Sequence, residues 1–252
     1  MNRPASPRDL QAEHHPDAIR RRLETRARHS YLGDAVLGGI DGCVTTFAVV
    51  AGCAGGGFPA TVAIVLGFAN LLADGFSMAV SNYQATRSRI ELIEHARRRE
   101  ERHIDEVPEG EREEIRQIFS LKGFRGGVLE TIVKTITADR QIWVDTMLKE
   151  ELGLQPEGPH PLRASAATFG AFLAVGLIPL LPYLLLDPGH AWTFTTSSIL
   201  TASAFLGIGM VKGRILHRSV ARSGLGTLLA GSAAAVLAFG VGAFLHWLLG
   251  RV

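Results

Sequence analysis

The chain has 252 residues, a formal net charge of +2 and a mean hydropathy of +0.19, with 20% of its residues charged. Averages this moderate would suit a soluble protein, but the charges are segregated. Long stretches hold none, while residues 82–163 hold 16 acidic and 14 basic side chains, a pattern that excludes an ordinary soluble domain and gives no reason to expect a nucleic-acid partner.

Residues 1–33 form a basic N-terminal segment with Arg20-Arg21-Arg22 and no apolar stretch of the kind a secretory signal needs. Residues 17–29 read as a short basic helix lying at a membrane surface. A bilayer core about 30 Å thick needs roughly 20 apolar helical residues. Five segments meet that length, at about 35–57, 60–80, 164–186, 191–211 and 225–249. Turn chemistry separates the antiparallel neighbours, at Gly57-Phe58-Pro59 and at Asp187-Pro188-Gly189-His190. Pro179 and Pro182 are expected to kink or break the third span. Gly38 and Gly42, then Gly52 and Gly56, place small residues four apart on the first span, which allows close helix contact within or between subunits. Cys43 and Cys53 lie in an apolar stretch and read as small buried residues rather than a disulfide framework. The fold class is therefore all-α and polytopic. Spans one and two occupy 34–83, a helical domain occupies 84–163, and spans three to five occupy 164–252.

Lysine and arginine set the orientation. Residues 1–33 hold 7 of them, 82–163 hold 14 and 212–222 hold 4, leaving only Arg251. With five spans, an N-terminus in the cytosol places all three basic regions inside and the C-terminus outside.

Ionisable groups within spans are costly and mark function. The first span carries Asp41 with Thr45 one turn on, and Asp34 lies seven residues before Asp41 on the same face. The second carries Asn70, Asp74 and Met78, spaced four and four along one stripe. Carboxylate and amide oxygens suit Mn²⁺ and Fe²⁺, and a thioether disfavours Mg²⁺ and Ca²⁺. The plainer reading makes Asp41 and Asp74 helix–helix contacts. A carboxyl in such a place can also take up and release protons, which suits exchange of a cation for protons.

Residues 84–163 read as four helices. The first, 88–106, continues the second span; Val107-Pro108-Glu109-Gly110 breaks it. The second runs to Leu121 and ends at Lys122-Gly123. The third covers about 127–135. The fourth starts with Thr137 as N-cap and runs to Leu152. Glu100 and His103, Glu111 and Glu114, and Met147 and Glu151 each share a helix face. A turn at Pro108 can bring the first two pairs together as an oxygen-rich site with one imidazole, nearer to iron or manganese chemistry than to calcium. A solvated charged face gives the same spacing. Arg97-Arg98-Arg99 reads as a contact to lipid headgroups.

The motifs Gly39-Ile40-Asp41-Gly42-Cys43-Val44-Thr45-Thr46-Phe47, Asn70-Leu71-Leu72-Ala73-Asp74-Gly75-Phe76-Ser77-Met78-Ala79 and Trp143-Val144-Asp145-Thr146-Met147-Leu148-Lys149-Glu150-Glu151-Leu152 resemble the vacuolar iron transporter, or nodulin-21-like, family. The resemblance runs from Tyr31 to Val252. It implies a five-span homodimer with a cytosolic helical metal-binding domain, exporting Fe²⁺ and related ions from the cytosol against protons. On it, the cytosolic ligands are Glu100, His103, Glu111, Glu114, Met147 and Glu151, and the translocation site uses Asp41 and Met78 supported by Asn70 and Asp74. Three positions depart from the family's usual pattern. His103 stands where Glu is common, Leu148 where a second Met often stands, and Ser81-Asn82-Tyr83 where many members have Gly-Glu-Tyr. The first two weaken or retune the cytosolic site, and the third removes a carboxylate near the cytosolic mouth.

The expected function is transport of Fe²⁺ or Mn²⁺, not enzymatic catalysis, with no prosthetic group; the expected partners are the lipid bilayer, divalent metal ions, protons and a second copy of the chain. Two rivals remain. A di-iron oxidase would need Glu-x-x-His twice, and Glu100-Glu101-Arg102-His103 supplies it once. A non-transporting metal sensor leaves the polar stripe of the first two spans unexplained. Arginine outnumbers lysine 22 to 4, which points to a GC-rich bacterial genome and an inner (plasma) membrane location.

Overall fold

In a computed structural model, residues 11–12, 14–24, 30–155, 158–186 and 192–250 are described. The chain divides into two compact units, Met1–Ser30 and Tyr31–Val252. The first contains α1 (Pro16–Glu24), in which Arg21 Nε donates to the Asp17 carbonyl at 3.2 Å. The remainder of the expected basic helix, residues 25–29, lies outside the described residues, as do the expected turn 187–190 and Arg251.

The second unit is all-helical among the described residues. Its elements are α2 (Leu32–Gly55), α3 (Ala60–Glu106), α4 (Pro108–Leu121), α5 (Gly126–Thr137), α6 (Arg140–Glu150), α7 (Pro161–Gly176), a 3₁₀ turn (Ile178–Leu180), α8 (Leu181–Leu185), α9 (Trp192–Ile215) and α10 (Val220–Leu249). Among the described residues, five segments are long and apolar enough to cross a membrane: α2, α3, Pro161–Leu185, α9 and α10. The protein is an integral, multi-pass membrane protein. Several spans extend a few residues beyond the expected windows, because backbone hydrogen bonding continues where hydropathy has already fallen. The hydroxyl of Ser219, for example, accepts from Arg222 N and caps α10 five residues ahead of its expected start.

α2 is the most enclosed span, with half of its apolar window buried, against 6% for α10. It packs against α3, α7, α9 and α10. The glycine pairs noted above serve this packing. A side chain at Gly38 or Gly42 would strike the α7 backbone at Thr168 or Phe172. On the other face, Gly242 of α10 lies against the Gly52 carbonyl and Gly56 N. The small-residue stripes of the first span are thus used within the chain.

The third span breaks as its prolines demand. α7 stops at Gly176, and a 3₁₀ turn holding Pro179 leads into α8. Ser197 of α9 donates its hydroxyl to the Pro179 carbonyl at 2.6 Å, which satisfies a backbone group at the break.

α3 has 47 residues, a length of about 70 Å, more than twice a bilayer core. Its apolar half is the second span and its charged half is the stalk of a helical domain completed by α4, α5 and α6. Ala96 and Ile104 of α3 join Ile115, Leu129, Val133, Trp143, Val144, Met147 and Leu148 in one apolar core. The N-cap of α6 is Asp139, not Thr137. α5 continues through Thr137, and the Asp139 carboxylate accepts from Gln141 N at 2.8 Å and Ile142 N at 3.0 Å. A carboxylate also complements the positive end of a helix, which a hydroxyl cannot do.

Candidate metal centre and membrane carboxylates

α3 reverses into α4 through a single residue, Val107, whose N–H reaches back to the His103 carbonyl at 2.7 Å. Pro108 then starts α4, where its missing N–H costs nothing. So sharp a reversal sets the last turns of α3 beside the first turns of α4. The ligand atoms of Glu100, His103 and Glu111 all lie within 4.8 Å of one another. Ligands of a small octahedral cation stand about 3 Å apart when adjacent and about 4.2 Å apart when opposite, so the three would have to draw together to share one ion.

Glu100 is 1% exposed. Arg99 Nε and Nη2 both donate to its Oε1 at 3.1 Å. Glu111 is buried as well. Its Oε1 lies 3.3 Å from His103 Nδ1, and its Oε2 is buried with no hydrogen-bond partner. A buried carboxylate oxygen left without a donor is expensive unless a cation supplies the missing charge. Burial pushes the Glu111 carboxyl up to about 7; repulsion from Glu114 and Glu100 adds to this, and His103 opposes it. Glu114, one turn on, is solvent-exposed at the rim. Glu151, just past the end of α6, is also shifted upward, first by burial and then by Glu100 and Glu114, with Arg99 and His103 pulling the other way. Five of the six expected ligands therefore interact in one cluster. Met147 is fully buried in the apolar core that supports it.

Within the spans, Asp41 and Asp74 stand on α2 and α3, which pack against each other. Thr45 donates its hydroxyl to the Asp41 carbonyl at 2.9 Å, so it is engaged with the backbone. Asn70 Nδ2 is buried with no partner. Met78 is half-buried against the apolar core that α2, α3 and the third span share.

Two features escaped the sequence. Arg97 pairs with Asp145 at 2.5 Å and Arg99 with Glu100, so these two arginines bind acids of the domain rather than headgroups. At the domain-side end of the spans, Asn82 Nδ2 donates to Asp34 Oδ1 at 2.9 Å and to Thr168 Oγ1 at 2.7 Å, joining the first three spans. Asp34 had been noted only for its register with Asp41, and Thr168 carried no signal at all.

The sequence model described as the VIT family matches residues 32–243. "Vacuolar iron transporter 2" of Oryza sativa subsp. japonica is 32% identical over 209 residues, covering 82% of this chain and 85% of that protein. "Vacuolar iron transporter" of Toxoplasma gondii is 29% identical over 235 residues, covering 90% and 78%. "Vacuolar iron transporter 1" of Arabidopsis thaliana is 31% identical over 208 residues, covering 82% of each.

Proposed function

The chain belongs to the VIT family, and we propose that it transports Fe²⁺ or Mn²⁺ out of the cytosol in exchange for protons. The observation that carries this reading is the orphaned, buried Glu111 Oε2 in a three-ligand cluster, whose other two members, Glu100 and His103, stand on the same helix that bears Asp74 and Met78. The relatives are named as transporters of iron. In this reading Glu100, His103 and Glu111 capture the ion, with Glu114, Glu151 and Met147 contributing at the rim and floor. The ion then passes between the first two spans to Asp41 and Met78, with Asn70 and Asp74 in support. Protons return through the same carboxylates. Oxygen and imidazole donors accept both Fe²⁺ and Mn²⁺.

The distribution of lysine and arginine supports a cytosolic N-terminus and domain, with the C-terminus outside. The membrane is proposed to be a bacterial plasma membrane. A homodimer is the proposed assembly, since α10 leaves a long apolar face uncovered by its own chain. The test is metal flux in proteoliposomes with a pH dye inside. Fe²⁺ or Mn²⁺ entry with opposite proton movement, lost in Asp41→Ala while metal still binds, is the expected result. Full activity of Asp41→Ala would overturn the assignment of the membrane site. Metal binding without flux in the wild type would make the protein a sensor.

A further inference from the structure

A cavity of about 610 Å³ opens where α9 ends and α10 begins, and it is backed by α2. Its mouth holds three cations, Lys212, Arg218 and Arg222, and among the described residues no acidic side chain lines it. Among the described residues none of the three forms an ion pair. The turn that places them is well defined. His217 takes a left-handed conformation (φ 49°), and Arg218 N bonds back to the Gly213 carbonyl at 2.9 Å. This closure ends α9 and holds the Arg218 backbone over the cavity. The hydroxyls of Ser219 and Ser223 stand beside the cations.

Deeper in, the lining changes character. Ile40 and Val44 of α2 and Ala230 and Gly231 of α10 form an apolar floor. From Arg222 to Gly231 the cavity follows α10 for about 13 Å. Cations at the mouth, hydroxyls beside them and a long apolar interior match a ligand with an anionic head and a hydrocarbon tail. Basic pockets between membrane helices hold phosphate headgroups in this way. A free phosphate has no use for the apolar floor. The volume falls within the usual range for ligand sites.

We propose that this cavity binds one anionic glycerophospholipid, with its phosphate between Lys212, Arg218 and Arg222 and an acyl chain along α10. Ile40 and Val44 flank Asp41 in sequence, so the bound chain contacts the helix that carries this carboxylate. The inference does not depend on transport.

Full-length protein in detergent, offered equimolar phosphatidylglycerol and phosphatidylcholine, is read by native mass spectrometry. One phosphatidylglycerol per chain is expected, with a preference of roughly a hundredfold from three cations. Lys212→Gln with Arg218→Gln and Arg222→Gln removes that preference. Gly226→Leu tests the apolar part while keeping every cation. A Cβ at Gly226 meets nothing within 4 Å, so the leucine enters the cavity without straining the helix, and lipid retention should fall. Millimolar inorganic phosphate should not displace the lipid. Equal retention of the two lipids by the wild type overturns the proposal, as does retention of phosphatidylglycerol by the triple variant. Displacement of the lipid by phosphate, or lipid retention unchanged by Gly226→Leu, assigns the cations to a free anion and also overturns it. So does a shift in the monomer–dimer ratio in both variants with no change in bound lipid, which would give the cavity to a second copy.

Discussion

His103 Nδ1 stands 3.3 Å from Glu111 Oε1 across a chain reversal one residue long. The contact joins the end of a 47-residue helix to the start of the next, so the cluster sits at the far tip of the stalk that begins in the membrane. The Arg99 guanidinium is the fixed positive group that the structure sets against these acids. On the proposed function the cluster would hold either protons or a divalent cation.

That balance sets a pH dependence. Glu111 is held up to about 7, chiefly by burial, and Glu151 is shifted upward for the same first reason. Metal requires the carboxylates ionised, so affinity for Mn²⁺ should climb steeply between about pH 6 and 8. Stability of the metal-free protein should move the opposite way. An unfolded Glu titrates near 4.5, so between 4.5 and 7 the folded chain binds more protons than the unfolded chain. The stability this group contributes is complete below 4.5 and lost as pH rises through 7. Thermal unfolding of metal-free protein should give a lower Tm at pH 8 than at pH 6, with Glu111→Gln flattening the trend. A wild-type Tm that rises over that interval would contradict the burial of Glu111.

Arg99 holds Glu100 Oε1 through two nitrogens and also acts on Glu151. On the proposed function it would act as a tethered competitor for an incoming cation. Arg99→Gln should therefore bind Mn²⁺ about threefold to tenfold more tightly, a modest gain because the guanidinium is partly exposed and screened. Arg98→Gln should leave binding unchanged. Calorimetric titration of the full-length protein checks both; weaker binding by Arg99→Gln would make Arg99 a support of the site instead.

Much of this architecture was legible beforehand, for physical reasons. A bilayer imposes a length that soluble helices need not meet, so the five spans stand out. Helical periodicity placed Glu100 with His103 and Glu111 with Glu114, and Pro108 marked the reversal that joins them. Contacts between residues far apart in sequence left no such trace. Asn82 meets Asp34 across 48 positions and Thr168 across 86, and although Asn82 departs from the family's usual pattern, nothing near it in sequence points to those partners. Arg99 departs from what its sequence context implies, because an exposed arginine run near a membrane normally faces lipid. Here one flank faces buried acid.

The Asn82 contact has its own consequence. Its amide donates to both partners, and a carboxylate cannot. Asn82→Asp removes two donors and sets a negative charge against Asp34. The three-span junction should lose about 1–3 kcal/mol, seen as a lower Tm in detergent. Asn82→Gln keeps the donors and should recover part of the loss. An unchanged Tm for Asn82→Asp would mean that the junction does not bear on stability.

The glycines of α10 separate packing from composition. Gly240 and Gly242 are two residues apart in the same apolar helix, and hydropathy cannot tell them apart. Nothing lies within 4 Å of a Cβ at Gly240, whereas one at Gly242 would collide with the Gly52 carbonyl and crowd Gly56 N of α2. Backbone cannot yield as a side chain does, so Gly242→Ala must push α10 off α2, at a cost of about 1–3 kcal/mol. Gly240→Ala only improves helix propensity and should be neutral or stabilising by up to about 1 kcal/mol. Fluorescence-monitored unfolding of both variants in one detergent should order them Gly242→Ala below wild type and Gly240→Ala at or above it. Gly52 and Gly56 belong to the stripe that sequence allowed for either kind of contact, and the structure uses it within the chain, so the loss should not depend on protein concentration. A lower Tm that is independent of protein concentration places the contact within one chain, and a concentration-dependent loss would place it between two.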